Sequence, residues 1–462
     1  MLVLPPPLPL LTPDAMRAAE ARAISAGTAA LVLMERASAA AAAAILAFSP
    51  KAHALVLAGP GNNGGDGYGV ALALAAAGIE VEVAALAPAK GEPAQTMAAR
   101  WTGSVTTLDA ARPAPLVIDA LFGTGQNRAM PQAATTALAR LAPGAVLAAL
   151  DIVSNIDAAT GAALGPAQPA ALTIAFGAAK PGHMLGAGAQ ATGRLVTADI
   201  GIDVAGSSLG RVPRPLRQPL AADIHKYARG HVLVVQGESS GAARLAALAA
   251  LRAGAGLVTL IGPDSRLPAD AIMHRTDAEG LAMLADPRVG AVVLGPGLAA
   301  NERSQAWLAR LLGSTRPVVL DAGALALTSP EALHAATAPL VLTPHEGEFR
   351  RLFGALADDR ISALRAAAAA AGAVVLLKGP QTLIAAPDGR LLVNDHATPW
   401  LATAGSGDVL AGIIASLIAQ GQPAFEAAAT AAWLHGDAGR RGGPGLIADD
   451  LPALLAACLA AL

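Results

Sequence analysis

Short, almost uninterrupted apolar runs, each closed by a cluster of Gly, Asn, Asp, Thr or Lys, limit most strongly how this chain folds. Residues 54–58, 79–86, 116–121, 145–152, 172–176 and 195–200 form one such series, with helical stretches such as 67–77 between them. Strands that are apolar on both faces need helices on both faces, which predicts parallel, doubly wound α/β sheets. Ligands of such sheets bind at the carboxyl ends of the strands, where the polar clusters fall. The layout restarts with strands at 231–236, 257–261, 291–294, 318–320, 340–342 and 374–377, and a helix at 241–253. Residues 382–386 and 390–393 bracket a Pro387-Asp388-Gly389 hairpin turn. No residue-by-residue repeat relates the halves, so two different three-layer α/β/α domains are expected. Residues 205–222 lack apolar periodicity and carry Gly206, Ser207, Ser208, Pro213, Pro215 and Pro219, which reads as a linker. The expected boundary divides the chain into 1–212 and 213–462.

The totals exclude several functions. Two or three domains fit 462 residues, and 54% hydrophobic content builds large cores. A net charge of −2, 3% aromatic residues and no basic block argue against a nucleic-acid groove. The single cysteine, Cys458, leaves no intramolecular disulfide or multi-Cys zinc site, fits a reducing compartment and reads as core packing. Residues 1–11 are apolar but contain three consecutive prolines and no basic start, unlike a signal peptide. The Ala-rich run at 37–48 is shorter than a membrane span and reads as a buried helix. A soluble, cytoplasmic homo-oligomer without membrane or nucleic-acid partners is expected.

In the first half, Gly59-Pro60-Gly61-Asn62-Asn63-Gly64-Gly65-Asp66-Gly67 closes a strand and opens a helix. Five glycines in nine residues admit close backbone approach to a ligand, with Asn62, Asn63 and Asp66 as polar contacts. No Lys-Ser/Thr follows, so this is neither a Walker loop nor the dinucleotide fingerprint. Asp119 ends another strand, ahead of Phe122-Gly123-Thr124-Gly125-Gln126-Asn127-Arg128, and Asp151 ends a third, ahead of Ser154 and Asn155. A buried carboxylate needs a partner, such as a monovalent cation, and Arg128 suits a phosphate. Lys180 adds a candidate charge partner, the alternative being a solvated surface lysine. Three polar strand ends in one sheet describe a pocket.

These residues resemble the NAD(P)H-hydrate epimerase domain, with its G-x-G-N-N-G-G-D-G loop, D-A-x-F-G segment and D-x-P-S-G segment. The resemblance implies a Rossmann-like fold and a hydrated dinucleotide held by Asn62, Asn63, Gly64, Gly65, Asp66, Gly123, Thr124, Gly125, Gln126, Asn127 and Arg128. It also implies K⁺ near Asn63, Asp119 and Ser154, with Asp151 at the reacting centre. The third segment departs from the pattern at Val153, where Pro is expected, and at Asn155, where Gly is expected. Asn tolerates positive φ better than most residues, so the turn is expected to survive.

In the second half, Thr403-Ala404-Gly405-Ser406-Gly407-Asp408 runs into an apolar helix. Small residues at a helix N-terminus make an anion site, and Asp408 stands where a carboxylate can serve a substrate hydroxyl. A capped helix start is the plainer reading. Gly295-Pro296-Gly297, Asp321, Thr343-Pro344-His345-Glu346-Gly347-Glu348 and Lys378-Gly379-Pro380-Gln381-Thr382 end other strands. A lysine at a buried strand end needs an anion, for which nucleotide phosphates are suited. Between His225 and Gly436 these motifs, in this order, resemble the ribokinase-like NAD(P)H-hydrate dehydratases.

That resemblance implies Asp408 as catalytic base. Lys378, Gly379, Pro380, Gln381, Thr382 and Gly407 would hold ADP with Mg²⁺, and Ala242, Gly297 and His345 the hydrate. The fused order is similar to that of bifunctional NAD(P)H-hydrate repair enzymes, which epimerise R and S NADHX and NADPHX and dehydrate the S form. Three positions depart from the pattern: the loop 236–240 is short, Gly323 replaces an Asp, and Ala404 replaces a Gly. The alternatives are a ribokinase-like kinase of a small alcohol and a non-catalytic nucleotide-binding first domain.

Overall fold

The computed structural model describes residues 2–49, 53–220, 222–356 and 358–462. Met1 of the apolar start and Ala221 of the expected linker lie outside the described residues. The chain divides into two compact units, Pro9–Ser207 and Met1–Leu8 with Ser208–Leu462. The boundary therefore differs from the one expected at Val212. The first residues belong with the second unit, because Leu2 and Val3 pair antiparallel with Arg217 and Leu216. Leu209–Arg211, inside the expected linker, is a strand running parallel to Leu391–Asn394.

The first unit holds seven parallel strands in the spatial order Val105–Thr107, Val81–Ala85, Ala54–Ala58, Leu116–Ala120, Val146–Leu150, Leu172–Phe176, Arg194–Ala198. The winding direction reverses between Ala54–Ala58 and Leu116–Ala120, which opens a crevice at their carboxyl ends. Both strands are fully buried. The helix Ala30–Phe48 is longer than the 37–48 read from sequence. With 19 residues it is, among the described residues, the one helix long and apolar enough to cross a membrane. Its buried residues, Leu33, Met34, Ala37, Ser38, Ala41, Ala42 and Ile45, recur at three- and four-residue steps, and Met34, Ala37, Ala41, Ala42 and Ile45 join the core against the sheet.

In the second unit the sheet runs Met273–Arg275, Leu257–Ile261, His231–Val235, Val289–Leu294, Val318–Leu320, Leu340–Leu342, Val374–Leu377, Thr382–Ala385, Leu391–Asn394 and Leu209–Arg211. The first seven are parallel. Thr382–Ala385 and Leu391–Asn394 form the expected antiparallel hairpin. Ser406–Ala419 is buried along nearly its whole length and packs with Ser240–Arg252 in one apolar core. Cys458 lies in that core, as its surroundings predicted.

Candidate functional sites at two sheet crevices

The glycine-rich segment of the first unit is not a loop. The helix begins at Asn62 and runs to Ala76, so Asn63, Gly64, Gly65 and Asp66 form its first turns. Glycine is required there by packing. A Cβ on Gly64 would stand 1.8 Å from the Gly59 carbonyl oxygen, and one on Gly65 would meet Met34 and Ala94 at 2.8 Å. The Asn63 side chain is buried, and neither its Oδ1 nor its Nδ2 has a protein partner. A buried amide without partners is costly, and here it faces the crevice end of the sheet.

Asp119 and Ser154 bind each other: Ser154 Oγ donates to Asp119 Oδ1 at 2.7 Å and Ser154 N to Oδ2 at 2.9 Å. Burial pushes the Asp119 carboxyl up against those bonds. Asp151 has φ 64, one of three non-glycine residues with positive φ among those described. Such a backbone is strained for most residues but accessible to Asp. Its Oδ1 accepts from Lys180 Nζ at 2.6 Å and its Oδ2 from Thr124 N at 3.2 Å.

Lys180 is 1% exposed, among the largest fully buried side chains, and so is no surface lysine. His183 fixes this corner. Its Nδ1 accepts from Lys180 N at 2.9 Å, so Nε2 carries the proton and donates to the Asp151 carbonyl at 2.7 Å. Burial, aided by Lys180, lowers His183 to about 4, which keeps it neutral. Burial alone would raise Asp151, yet the Lys180 charge and hydrogen bond hold it below its ordinary value. Asp66 goes the other way: burial, then the charges of Asp151 and Glu20, push it well up. The half-buried Glu20, on the helix Pro13–Ser25, is itself raised by burial and by Asp151. One crevice thus holds a carboxylate held low beside Lys180 and a second carboxyl pushed toward its protonated form, a division suited to proton transfer in both directions.

The segment after Asp119 splits by role. Gly125, Asn127 and Arg128 are exposed, and Gly123 and Thr124 half-exposed, at the crevice. Gln126 is turned inward: its Nε2 donates to Asn155 Oδ1 at 3.0 Å and to the Arg128 carbonyl at 2.9 Å, and its Oε1 accepts from Asn155 N at 2.9 Å. Its side-chain amide is therefore used within the protein, tying the segment that carries Asn127 and Arg128 to Asn155. Lys180, His183 and Glu20 are site residues that sequence reasoning left outside the expected set, although Lys180 carried a signal as a lysine following an apolar strand.

In the second unit, Asp321, His345, Glu348 and Lys378 meet at the carboxyl ends of adjacent strands. Lys378 N donates to the Pro344 carbonyl at 2.8 Å. Lys378 Nζ donates to Asp321 Oδ1 at 2.7 Å and stands 3.8 Å from Glu348. Asp321 is thus one anion beside Lys378, and an ammonium with three donors has others left for a phosphate. The ammonium also lies 3.2 Å from where a Cβ on Gly407 would be, against the helix N-terminus. Gly405 caps that helix with φ 88, and Asp408 lies in its first turn. Burial, then the charge of Asp321, raises Asp408 to about 6, against the pull of Lys378.

His345 caps the helix Glu346–Phe353, its Nδ1 accepting from Glu348 N at 3.1 Å. Half-buried Ala242, in the first turn of Ser240–Arg252, and Gly297 lie at the second winding reversal, between His231–Val235 and Val289–Leu294. Gly297 has φ 69, and its carbonyl accepts from Ser239 N at 3.1 Å. Gly379 and Pro380 are exposed, with Gln381 and Thr382 half-exposed behind them. The departures fit locally. Any Cβ on Gly323 would stand 2.1 Å from the Leu298 carbonyl oxygen, which leaves no room for Asp. Ala404 is exposed and is not among the residues with positive φ.

A family model described as NAD(P)H-hydrate dehydratase matches residues 232–451, and one described as YjeF-related protein N-terminus matches residues 30–182. A bifunctional NAD(P)H-hydrate repair enzyme of Mycobacterium tuberculosis is 40% identical over 331 residues, covering 68% of this chain and 67% of the relative. An ADP-dependent (S)-NAD(P)H-hydrate dehydratase of Neisseria meningitidis is 43% identical over 235 residues, covering 47% of this chain and 79% of the relative. Among solved structures, an ADP/ATP-dependent NAD(P)H-hydrate dehydratase from Bacillus subtilis, co-crystallised with ATP and Mg²⁺, is 30% identical with a TM-score of 0.46. It covers 53% of this chain and 93% of that one.

Proposed function

The chain belongs to the bifunctional NAD(P)H-hydrate repair enzymes, and from that premise we propose that its two crevices divide the repair between them. The enzyme epimerises R and S NAD(P)HX and dehydrates S-NAD(P)HX at the expense of ADP, releasing NAD(P)H, AMP and phosphate. Pro9–Ser207 carries the epimerisation, and the unit built on Ser208–Leu462 the dehydration.

The observation that carries the dehydratase half is the carboxyl of Asp408, held at about 6 by burial at the mouth of a glycine-rich helix N-terminus. Hydroxide leaves a ring poorly and phosphate leaves it well. Asp408 takes the proton of the hydrate hydroxyl as its oxygen attacks the terminal phosphorus of ADP, and AMP departs. Loss of phosphate then restores the ring. Backbone N–H groups at Gly405–Gly407 face the moving phosphoryl group. Lys378, Gly379, Pro380, Gln381, Thr382 and Gly407 hold the nucleotide, and Ala242, Gly297 and His345 line the hydrate side. Mg²⁺ bound with the nucleotide would neutralise charge on its phosphates.

In the epimerase crevice Asp151 is the ionised group at the reacting centre, with Lys180 fixing its charge. Asn62, Asn63, Gly64, Gly65, Asp66 and the segment Gly123, Thr124, Gly125, Gln126, Asn127 and Arg128 surround the dinucleotide. The buried Asn63 Oδ1 has no protein partner, and Asn63, Asp119 and Ser154 would hold K⁺, which would supply fixed positive charge there.

The test uses purified epimers of the hydrate with protein, ADP and Mg²⁺, following the return of reduced-nicotinamide absorbance. The S epimer is expected to return directly and the R epimer through the first unit. Asp408→Asn is expected to abolish dehydration and spare epimerisation. A stable phosphorylated product would identify a kinase instead.

A further inference from the structure

Asn155 does work that a glycine at its position cannot do. It is fully buried, with φ 70, in the turn that follows Asp151. Its Oδ1 accepts from Gln126 Nε2 at 3.0 Å and from Met130 N at 2.8 Å. Nδ2 donates to the Pro166 carbonyl at 2.8 Å, and the backbone N donates to Gln126 Oε1 at 2.9 Å. Every polar atom of the side chain is engaged, and three strands of backbone, 126–130, 151–155 and 166, are tied at one point. The surroundings are shaped to admit it: a Cβ on Gly165 would stand 3.0 Å from Nδ2. Gln126 and Met130 bracket Asn127 and Arg128, both exposed at the crevice. The same segment begins with Thr124, whose N–H reaches Asp151.

We infer that Asn155 is a positioning residue for epimerisation, locking the 124–130 segment against the turn that carries Asp151. The inference rests on the proposed epimerase reading of this crevice. A buried, fully bonded amide pair holds a loop in one geometry, and a loop that must order itself on binding weakens substrate capture. Asn155 does not touch the acid–base pair of Asp151 and Lys180, so it acts on binding more than on chemistry.

The experiment compares wild type with Asn155→Gly, which fits φ 70 without strain, with Gln126→Met, and with the double variant. Epimerase KM and kcat are measured separately, and amide hydrogen exchange is followed over residues 124–130. Asn155→Gly is expected to raise the epimerase KM about tenfold with a much smaller change in kcat, as loss of loop order predicts. The Met130 amide should exchange faster. The double variant should cost no more than the worse single one, because both remove the same lock. A role in stability alone would lower kcat through lost active protein and leave KM where it was. Unchanged KM, additive losses or unaltered Met130 exchange would each overturn the inference. Absence of epimerisation in the wild type would instead overturn the functional reading, and the exchange measurement would still decide whether the lock exists.

Discussion

Burial of Asp408 and the neighbouring charge of Asp321 hold its carboxyl at about 6, near the pH at which a general base works best. A base must be ionised, so dehydratase kcat/KM should be full above that value and fall as pH drops through about 6. The check is a pH–rate profile with ADP saturating. Lys180 sets the opposite case. It offsets the burial that would otherwise raise Asp151. Lys180→Met leaves a buried carboxylate without its counter-charge, so the acid limb of the epimerase profile should move to higher pH. Breaking a buried pair on one side also costs about 3–5 kcal/mol, which denaturant unfolding of Pro9–Ser207 would register. Asp119 and Asp151 were legible in the sequence as carboxylates ending apolar strands. Their partners were less so. Glu20 lies on a helix far upstream, and nothing in its local pattern points to Asp66. Lys180 reads equally as a charge partner or a surface residue until the strand ends around it are assembled. His183 acts only through a tautomer fixed by Lys180 N.

At the scale of elements, the two helix N-termini at the crevices were read with unequal success. The glycines around 405–407 mark a helix start, and the helix does begin there. Those at 61–67 mark a turn by composition, yet the helix already runs from Asn62, because its glycines admit Gly59, Met34 and Ala94 at distances no side chain allows. Composition reports that backbone comes close, but not whether the neighbour is ligand or protein. The central strands at 54–58, 172–176, 257–261, 318–320 and 340–342 coincide with their apolar runs. Val105–Thr107 and Met273–Arg275 are short and at most half-buried, and Leu209–Arg211 is a three-residue Leu-Gly-Arg, so none carries an apolar run and none was expected. Gly405 and Ala404 give a paired test. Gly405→Ala puts a Cβ at φ 88 and 2.7 Å from Leu245, so it should lower dehydratase activity and cost at least 1–2 kcal/mol, a rough value for the left-handed strain alone. Ala404→Gly, at an exposed position without that φ, should leave the dehydration rate within about twofold, since surface changes of this kind stay within roughly 0.5 kcal/mol.

For the whole molecule, the consequential finding is that chain order and unit membership disagree at the start. Met1–Leu8 is counted with Ser208–Leu462, while Pro9 onward builds the first unit. The sequence hid this because residues 1–11 are apolar without a period, and two-residue strands carry no pattern. The attachment is specific. Leu2 is 7% exposed and belongs to the core around Ser406–Ala419, and its carbonyl accepts from Gln422 Nε2 at 2.5 Å. Leu2→Ala removes buried apolar volume from the second unit and none from the first. Core Leu→Ala changes cost about 2–5 kcal/mol, with a peripheral site near the lower end. Two activities in one chain report separately on the two units during a denaturant titration. The dehydratase midpoint should fall in Leu2→Ala while the epimerase midpoint stays with the wild type. If both midpoints fell together, the units would unfold as one and the N-terminal strand would stabilise the whole chain. If only the epimerase midpoint fell, the assignment of Leu2 to the second unit would be wrong.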